Sequence, residues 1–426
     1  MLNWLKTLLG GSSHPIPAYY PELSDRELAE FMTEDDFQRI QKFRCVYIFP
    51  FAGPNDDREQ VLMGVGLSHQ IIRNLMLLSD VSIHGPEDTP LVAVDFENAS
   101  EIAAGFTDEM CVFGRFRRTS RWELDVLVMD GETTVGQDQV VAGEFQELLI
   151  AACQAIARRL GSSGQLTHQN GWNVGQPPNA AALAKYGDLV VSFDRMDGKH
   201  RTPHAIELMK TEPQFALPAW QCDDDLKISL HWHLEGLLRD PLNAQTCFLA
   251  FCSMGTNGIA DRRAMQFCRK AIGISPGHGK AHMCAPHTAH PQAYMLRHSK
   301  LGYQLLKGNS FAVNNYIHNL VRYGAPPDQL LEIAEEGIAI GPHNPGSYHQ
   351  MIDIFWQLKQ YKPALNVAYQ LRNLFEPEIN PRAIYCLRQT PELARRMDAG
   401  TYDPVQETRD LIRQLEQMVG STSDGE

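Results

Sequence analysis

Helix-breaking residues recur along the second half of this chain at a nearly constant interval, and that interval limits the folds open to it. Pro213, Pro241, Pro276, Asn309, Pro342 and Pro377 are separated by 28, 35, 33, 33 and 35 residues, with helical spacing of apolar residues between them. Such a period describes two short helices per unit. One pair cannot bury its own apolar face, so neighbouring pairs must stack. Two units carry the pattern best. In one, Phe248, Phe251 and Cys252 fill the first helix and Ala264, Phe267, Cys268 and Ala271 the second, ending at Pro276. In the other, Tyr348, Met351, Ile352 and Phe355 precede Tyr361, Ala364 and Ala368, ending at Pro377. The spacing predicts a continuous stack of helix pairs over 180–400, covered at its end by a helix over 401–419 with Ile412, Leu415, Met418 and Val419 on one side. The polar residues 420–426 are expected to be a disordered tail.

Upstream the period changes. Residues 44–160 alternate between strand and helix: Cys45–Phe51 as a buried strand, then a helix with Leu67, Ile71, Ile72, Leu75 and Leu78 on one stripe, then Val81–Ile83. A short helix over 98–106 leads to a three-strand meander over 111–118, 122–129 and 133–141, and an amphipathic helix carries Phe145, Leu148, Leu149, Ala152, Ile156 and Leu160. This is a small α/β domain. Residues 161–179, with four glycines and two prolines, are expected to be the linker to the helical array. Residues 1–43 read as a tail with short helices; Ser24 with Glu27 and Thr33 with Asp36 form capping boxes. Leu2, Leu5, Leu8 and Leu9 share one side of a terminal helix edged by Trp4, which allows weak membrane contact.

Charge narrows the function. A net charge of −13 over 426 residues repels phosphate backbones, so a nucleic-acid partner is not expected. The nine cysteines are odd in number, contain no CxxC pair and sit in apolar stretches, the usage of buried thiols in a reducing compartment; a cytoplasmic location is expected. No run is long enough for a membrane-spanning helix.

Several residues invite chemistry. Gly64-Val-Gly66 suggests a nucleotide loop, but a third glycine would fall at His69 and no Gly-Lys-Ser/Thr follows, so these glycines are read as shaping the turn into a helix. His278, His282, Cys284, His287, His290 and His298 offer zinc-ligand types without a recognised ligand spacing, and no metal is expected there. His231 and His233 point apart on a helix. Arg115, Arg117 and Arg118 are read as a solvated strand face that discourages edge pairing, and Asp223–Asp225 as a helix start. No GxSxG motif occurs. The chain is read as a non-catalytic protein without cofactors.

Residues 44–160 resemble the amino-terminal-like domain of TolB. The strand ending in Pro50-Phe51, Gly66-Leu67-Ser68 with Ile71, Ile72 and Leu75, Val81–Ile83, Val112–Arg117, Glu123–Met129 and Ile156–Leu160 carry the likeness. The 34-residue units resemble tetratricopeptide (TPR) repeats, which in many bacterial proteins follow that domain. The resemblance implies an α/β amino-terminal domain plus an all-α helical solenoid, and a regulatory or sensor role beside a separately encoded signalling enzyme.

In such a solenoid the first helix of each pair lines the concave face. That places Asn314, His318 and Arg322 on one stripe, and His349, Asp353, Trp356 and Gln357 on the next. Amide, imidazole, guanidinium and indole groups suit a peptide. The expected function is a protein-binding scaffold or adaptor with a protein or peptide partner, with homo-oligomerisation possible for the same chain. A zinc-dependent enzyme centred on the histidine-rich stretch is the weakest alternative.

Overall fold

The computed structural model describes residues 32–85, 89, 94–106, 109–175, 179–192, 198–222, 226–256, 261–285, 292–388, 393, 396–397 and 399–423. The terminal helix expected over Leu2–Leu9, the capping box at Ser24, Asp223–Asp225 and the last three residues lie outside them. Two compact units are present, one running through Ala281 and the other beginning at His282.

The first unit is built on a five-stranded sheet of β1 (Arg44–Ile48), β2 (Val81–His84), β3 (Met110–Arg118), β4 (Trp122–Asp130) and β5 (Thr133–Ala142), in the order β2-β1-β3-β4-β5. β2 and β3 run parallel to β1, and β3, β4 and β5 form the antiparallel meander. Helix α1 (Glu34–Ile40) begins at Thr33, whose hydroxyl and the Asp36 carboxylate satisfy each other's backbone donors. α2 (Arg58–Leu75) crosses from β1 to β2, α3 (Ala99–Ala103) leads to β3, and α4 (Phe145–Arg159) follows the meander.

The periodic stripe on α2 marks one buried side, but the structure buries the other side as well. Every residue from Met63 to Leu75 is buried, including Ser68, His69, Gln70, Arg73 and Asn74. Helix α5 (Ala180–Val191) covers it so closely that a Cβ on Gly66 would lie 2.7 Å from the Leu183 carbonyl oxygen, and one on Gly187 would collide with that of Leu62. Gly64 and Gly66 therefore sit inside the helix, where they permit close approach, and shape no turn.

Buried polar groups on this second side are paired across to the helical segment. The Arg73 guanidinium binds Asp240 through two hydrogen bonds of 2.7 and 2.5 Å and donates to the Gly171 carbonyl at 2.6 Å. Both side chains are 1% exposed. His69 Nδ1 lies 2.9 Å from the Tyr186 hydroxyl.

The segment expected as a free linker is packed. Trp172 is buried and donates to Asn74 O at 2.8 Å, Thr167 donates to Leu77 O and Ile274 O, and Ser162 donates to Asp80. Its glycines serve turns and a close contact with Asp240 (Gly175), so composition alone misplaced the boundary. The compact units divide about a hundred residues later, after Ala281.

Helices α6 (Gly198–Thr211), α7 (Leu226–Arg239), α8 (Ala244–Thr256) and α9 (Asp261–Ile274) complete the first unit. α10 (Gly279–Cys284) is followed, in the second unit, by α11 (Gln292–Leu305), α12 (Ser310–Arg322), α13 (Leu331–Ile340), α14 (Pro345–Gln357), α15 (Tyr361–Arg372), α16 (Pro381–Arg388) and α17 (Pro404–Ser423). Short connections make neighbours such as α8/α9, α12/α13 and α14/α15 antiparallel pairs. The residue that marks the repeat is the N-cap of each first helix. Asn243, His278, Asn309, Asn344 and Asn380 accept from the backbone N–H of Thr246, Ala281, Ala312, Gly346 and Arg382. Each such cap contributes about 1 kcal/mol. In the second unit Val313, Ile317, Ala334, Met351, Ile352, Ala364, Ala368, Leu371, Ala383 and Leu415 form one buried core. α17 runs past the expected end and is held by Tyr369 on Glu416 and Arg409 on Glu376.

Two outcomes test this account of the first unit. Arg73→Ala or Asp240→Ala leaves a buried charge without its partner and should cost about 3–5 kcal/mol in denaturant unfolding, whereas Arg73→Met with Asp240→Leu should recover most of it. His69 and His233 are buried, and burial pushes each imidazole down from about 6.5 to about 3. The unfolded chain binds two protons below that ordinary value which the folded chain refuses. Stability is therefore full above about pH 6.5 and falls as pH drops toward 3, by up to about 1.4 kcal/mol per pH unit for each histidine. A pH series of chemical melts should show this slope, and His69→Gln should reduce it.

Candidate functional site

The candidate site lies on α12, α14 and α16, the first helices of successive pairs in the second unit. Packing fixes the orientation of each. Val313 and Ile317 turn α12 toward the core, and Tyr316 stacks on Tyr303 of α11 at 5.0 Å. On the α14 side, Ser347 Oγ donates to Asn314 Oδ1 at 3.2 Å and Gln350 Nε2 donates to Asn314 O at 2.7 Å. At 3.6 residues per turn, the remaining side of α12 carries His318 and Arg322, both exposed. The same side of α14 carries half-buried His349 and exposed Asp353 and Gln357.

Two of these groups feel the protein around them. Desolvation holds the Asp353 carboxyl above the usual carboxylate range although the residue is exposed, and the same cause lowers the His349 imidazole.

The seven candidates do not act alike. His318, Arg322, His349, Asp353 and Gln357 share the outward face. Asn314 bridges α12 to α14, its side-chain oxygen accepting from Ser347. Trp356 stands at the flank of its helix, edge-on to Tyr361 at 5.4 Å and packed against the core. Two residues on the same face were not anticipated. Arg382 and Tyr385 on α16 are exposed, Tyr385 to 56%, at the positions that Gly346 and His349 hold one repeat earlier. Counting from the N-caps Asn344 and Asn380 would have found them.

The other candidate residues that are described lie against protein neighbours. His278 lies 3.2 Å from Gln245, and His282 and His298 stack with their Nδ1 atoms 2.8 Å apart. His287 and His290 lie outside the described residues, among which no three potential ligands gather. His233 is buried beside Ser253, while His231 meets Trp232 edge-on. Arg115 lies over Phe96, Arg117 pairs with Asp125 and Arg118 lies over Trp122. β3 is an inner strand between β1 and β4, so these arginines guard no edge. All nine cysteines are free thiols, and burial pushes Cys111, Cys153 and Cys247 up to about 12, which keeps them unreactive. Among the described residues no helix is long and apolar enough to cross a membrane.

No family model and no curated protein matches the chain. Among solved structures 33 chains match. One is YrrB, described as a TPR protein with an unusual peptide-binding site; it shares 12% identity over 43% of this chain and 97% of its own, with a TM-score of 0.31. The helix pairing described above rests on the chain's own geometry.

Trp356→Ala should lower stability by about 2–3 kcal/mol through lost packing, whereas Gln357→Ala, one residue on, should leave the melting curve unchanged.

Proposed function

We propose that this chain is a non-catalytic protein-binding scaffold whose second unit takes a peptide segment across the outward face of α12, α14 and α16. The observation that carries the reading is the exposed row of His318, Arg322, Asp353 and Gln357, with Asp353 desolvated by its surroundings. Folding does not need these groups: among the described residues, neither Arg322 nor Asp353 pairs with an opposite charge. A peptide supplies what they lack, backbone amides for Gln357 and charged side chains for Arg322 and Asp353. Asn314 sets the spacing of the two helices, and Arg382 and Tyr385 extend the face by one repeat.

The TPR-like character of the helix pairs supports this reading through its usual use of the first-helix face. The resemblance of residues 44–160 to the TolB amino-terminal-like domain is kept as part of the proposal, supported by the order of strands and helices in the first unit. Under it, the scaffold serves as a regulatory subunit beside a separate signalling enzyme.

A peptide display library selected on the intact chain tests the proposal. Selected peptides should bind Arg322→Ala/Asp353→Ala more weakly by about 2–5 kcal/mol, while the melting temperature stays nearly unchanged because exposed charges contribute about 0–1 kcal/mol to folding. Glu335→Ala, on an exposed position of the second helix α13, should bind like the parent chain. Peptides that bind the double variant undiminished would overturn the reading.

A further inference from the structure

The sheet of the first unit has two edges, and they are treated differently. At the short edge, Ser82 of β2 donates to Gly277 O at 2.6 Å, and a Cβ on Gly277 would lie 2.7 Å from the Ser82 Cα, so that edge is covered. β5, the other edge, pairs only with β4 among the described residues. It is ten residues long and holds no lysine or proline, the residues that blunt exposed edges. Its one irregularity is at the hairpin end, where Val128 pairs with Gly136 and Met129 with Thr134, leaving Val135 extra and Gly136–Ala142 in regular register. Val135 and Val141 are 39% and 45% exposed.

A groove of about 490 Å³ runs between this strand and α4, lined by Asp138, Val140, Ala151, Gln154, Ala155 and Arg158. Arg159 binds Asp138 at 2.7 and 3.0 Å. Arg158 is exposed and makes no close ion pair among the described residues, its charge reaching its own Asp138 only through space while Arg159 holds that carboxylate directly.

We propose that β5 is the contact of a homodimer, in which two copies of this chain pair β5 with β5 antiparallel about a two-fold axis and join their sheets. A two-fold contact must be complementary to itself, and this edge is. It bears one carboxylate and two guanidiniums, so each copy offers an unpaired Arg158 to the partner's Asp138 across the axis. Gln137 and Gln139 flank Asp138 on the opposite face of the sheet, where the reversed strand sets amide beside amide. The alanines of α4 leave room for the incoming strand. A foreign strand could use the same backbone groups, but it would need its own acidic residue for Arg158, which a second copy already carries.

Sedimentation of the intact chain over a range of concentrations should show a monomer–dimer equilibrium. Val141→Lys, which places a guarding charge on the edge, and Arg158→Glu should each weaken dimerisation about tenfold or more with unchanged circular dichroism. The double variant Gln137→Cys/Gln139→Cys, in which each cysteine faces the other position of the reversed strand, should form a disulfide-linked dimer on oxidation, and Glu335→Cys should not. A chain that is monomeric at every concentration overturns the proposal, including one that adds a foreign peptide at β5. So does a dimer that both variants leave intact, or one that cross-links equally through position 335. Peptide binding by the second unit is a separate readout and is untouched by these outcomes.

Discussion

The ion pair between Arg73 and Asp240 joins the two halves of the first unit, and much else follows from it. Arg73 stands in the last turn of α2, one face of which packs on the sheet; Asp240 ends α7, where one helix pair gives way to the next. Taking both charges out of water costs several kcal/mol per ion, which only a complete set of partners offsets. The set is complete here. The guanidinium reaches Asp240, Gly171 and Asn74, and the carboxylate also accepts from Leu242 N and Asn243 Nδ2. Asn243 is itself the N-cap of α8, so the charge that fixes α2 is continuous with the hydrogen bond that starts the helical repeats. A hydrophobic contact could stabilise this junction equally well, but it would not fix its register.

That arrangement explains why local residue patterns did not reveal the division between compact units. Strand alternation over 44–142 and the proline interval beyond Pro213 report local periods, and those were legible. Local periods say nothing about what covers the polar side of a helix. On α2 the residues Ser68, His69, Gln70, Arg73 and Asn74 have the composition of a solvated face, and all are buried. Residues 161–175 have the composition of a linker, yet Trp172 and Thr167 are anchored to α2 and its C-terminal turn. In both places long-range hydrogen bonds override a pattern that is local by nature.

The candidate face shows the same limit from the other side. A four-residue step picks out His318, Arg322, Asp353 and Gln357, all of them exposed, because α12 and α14 are regular and their N-caps lie 35 residues apart. Asn314 and Trp356, picked by the same step, also contact protein neighbours, since the step ignores how far a neighbouring helix reaches around. Arg382 and Tyr385 escaped notice because prolines were taken as the repeat marker. Pro377 precedes its N-cap by three residues, whereas Pro342 precedes its own by two. The N-cap is the better ruler because it begins the helix whose face is being counted.

The two units thus use polar side chains in opposite ways. The first unit turns arginine, aspartate and histidine inward, where each is held by partners from its own chain. The second leaves Arg322 and Asp353 outward, without an opposite charge among the described residues. Net charge sharpens the difference. At −13 the whole chain attracts cations at long range, while on the proposed reading an exposed guanidinium on one helix and a desolvated carboxylate on another would select at contact distance. A uniformly acidic segment is repelled by the chain before it reaches Arg322, and a uniformly basic one is drawn in but leaves Arg322 opposed by like charge. If the proposed face is the binding surface, a segment carrying both signs, spaced as Arg322 and Asp353 are on α12 and α14, satisfies the long-range field and the local groups together.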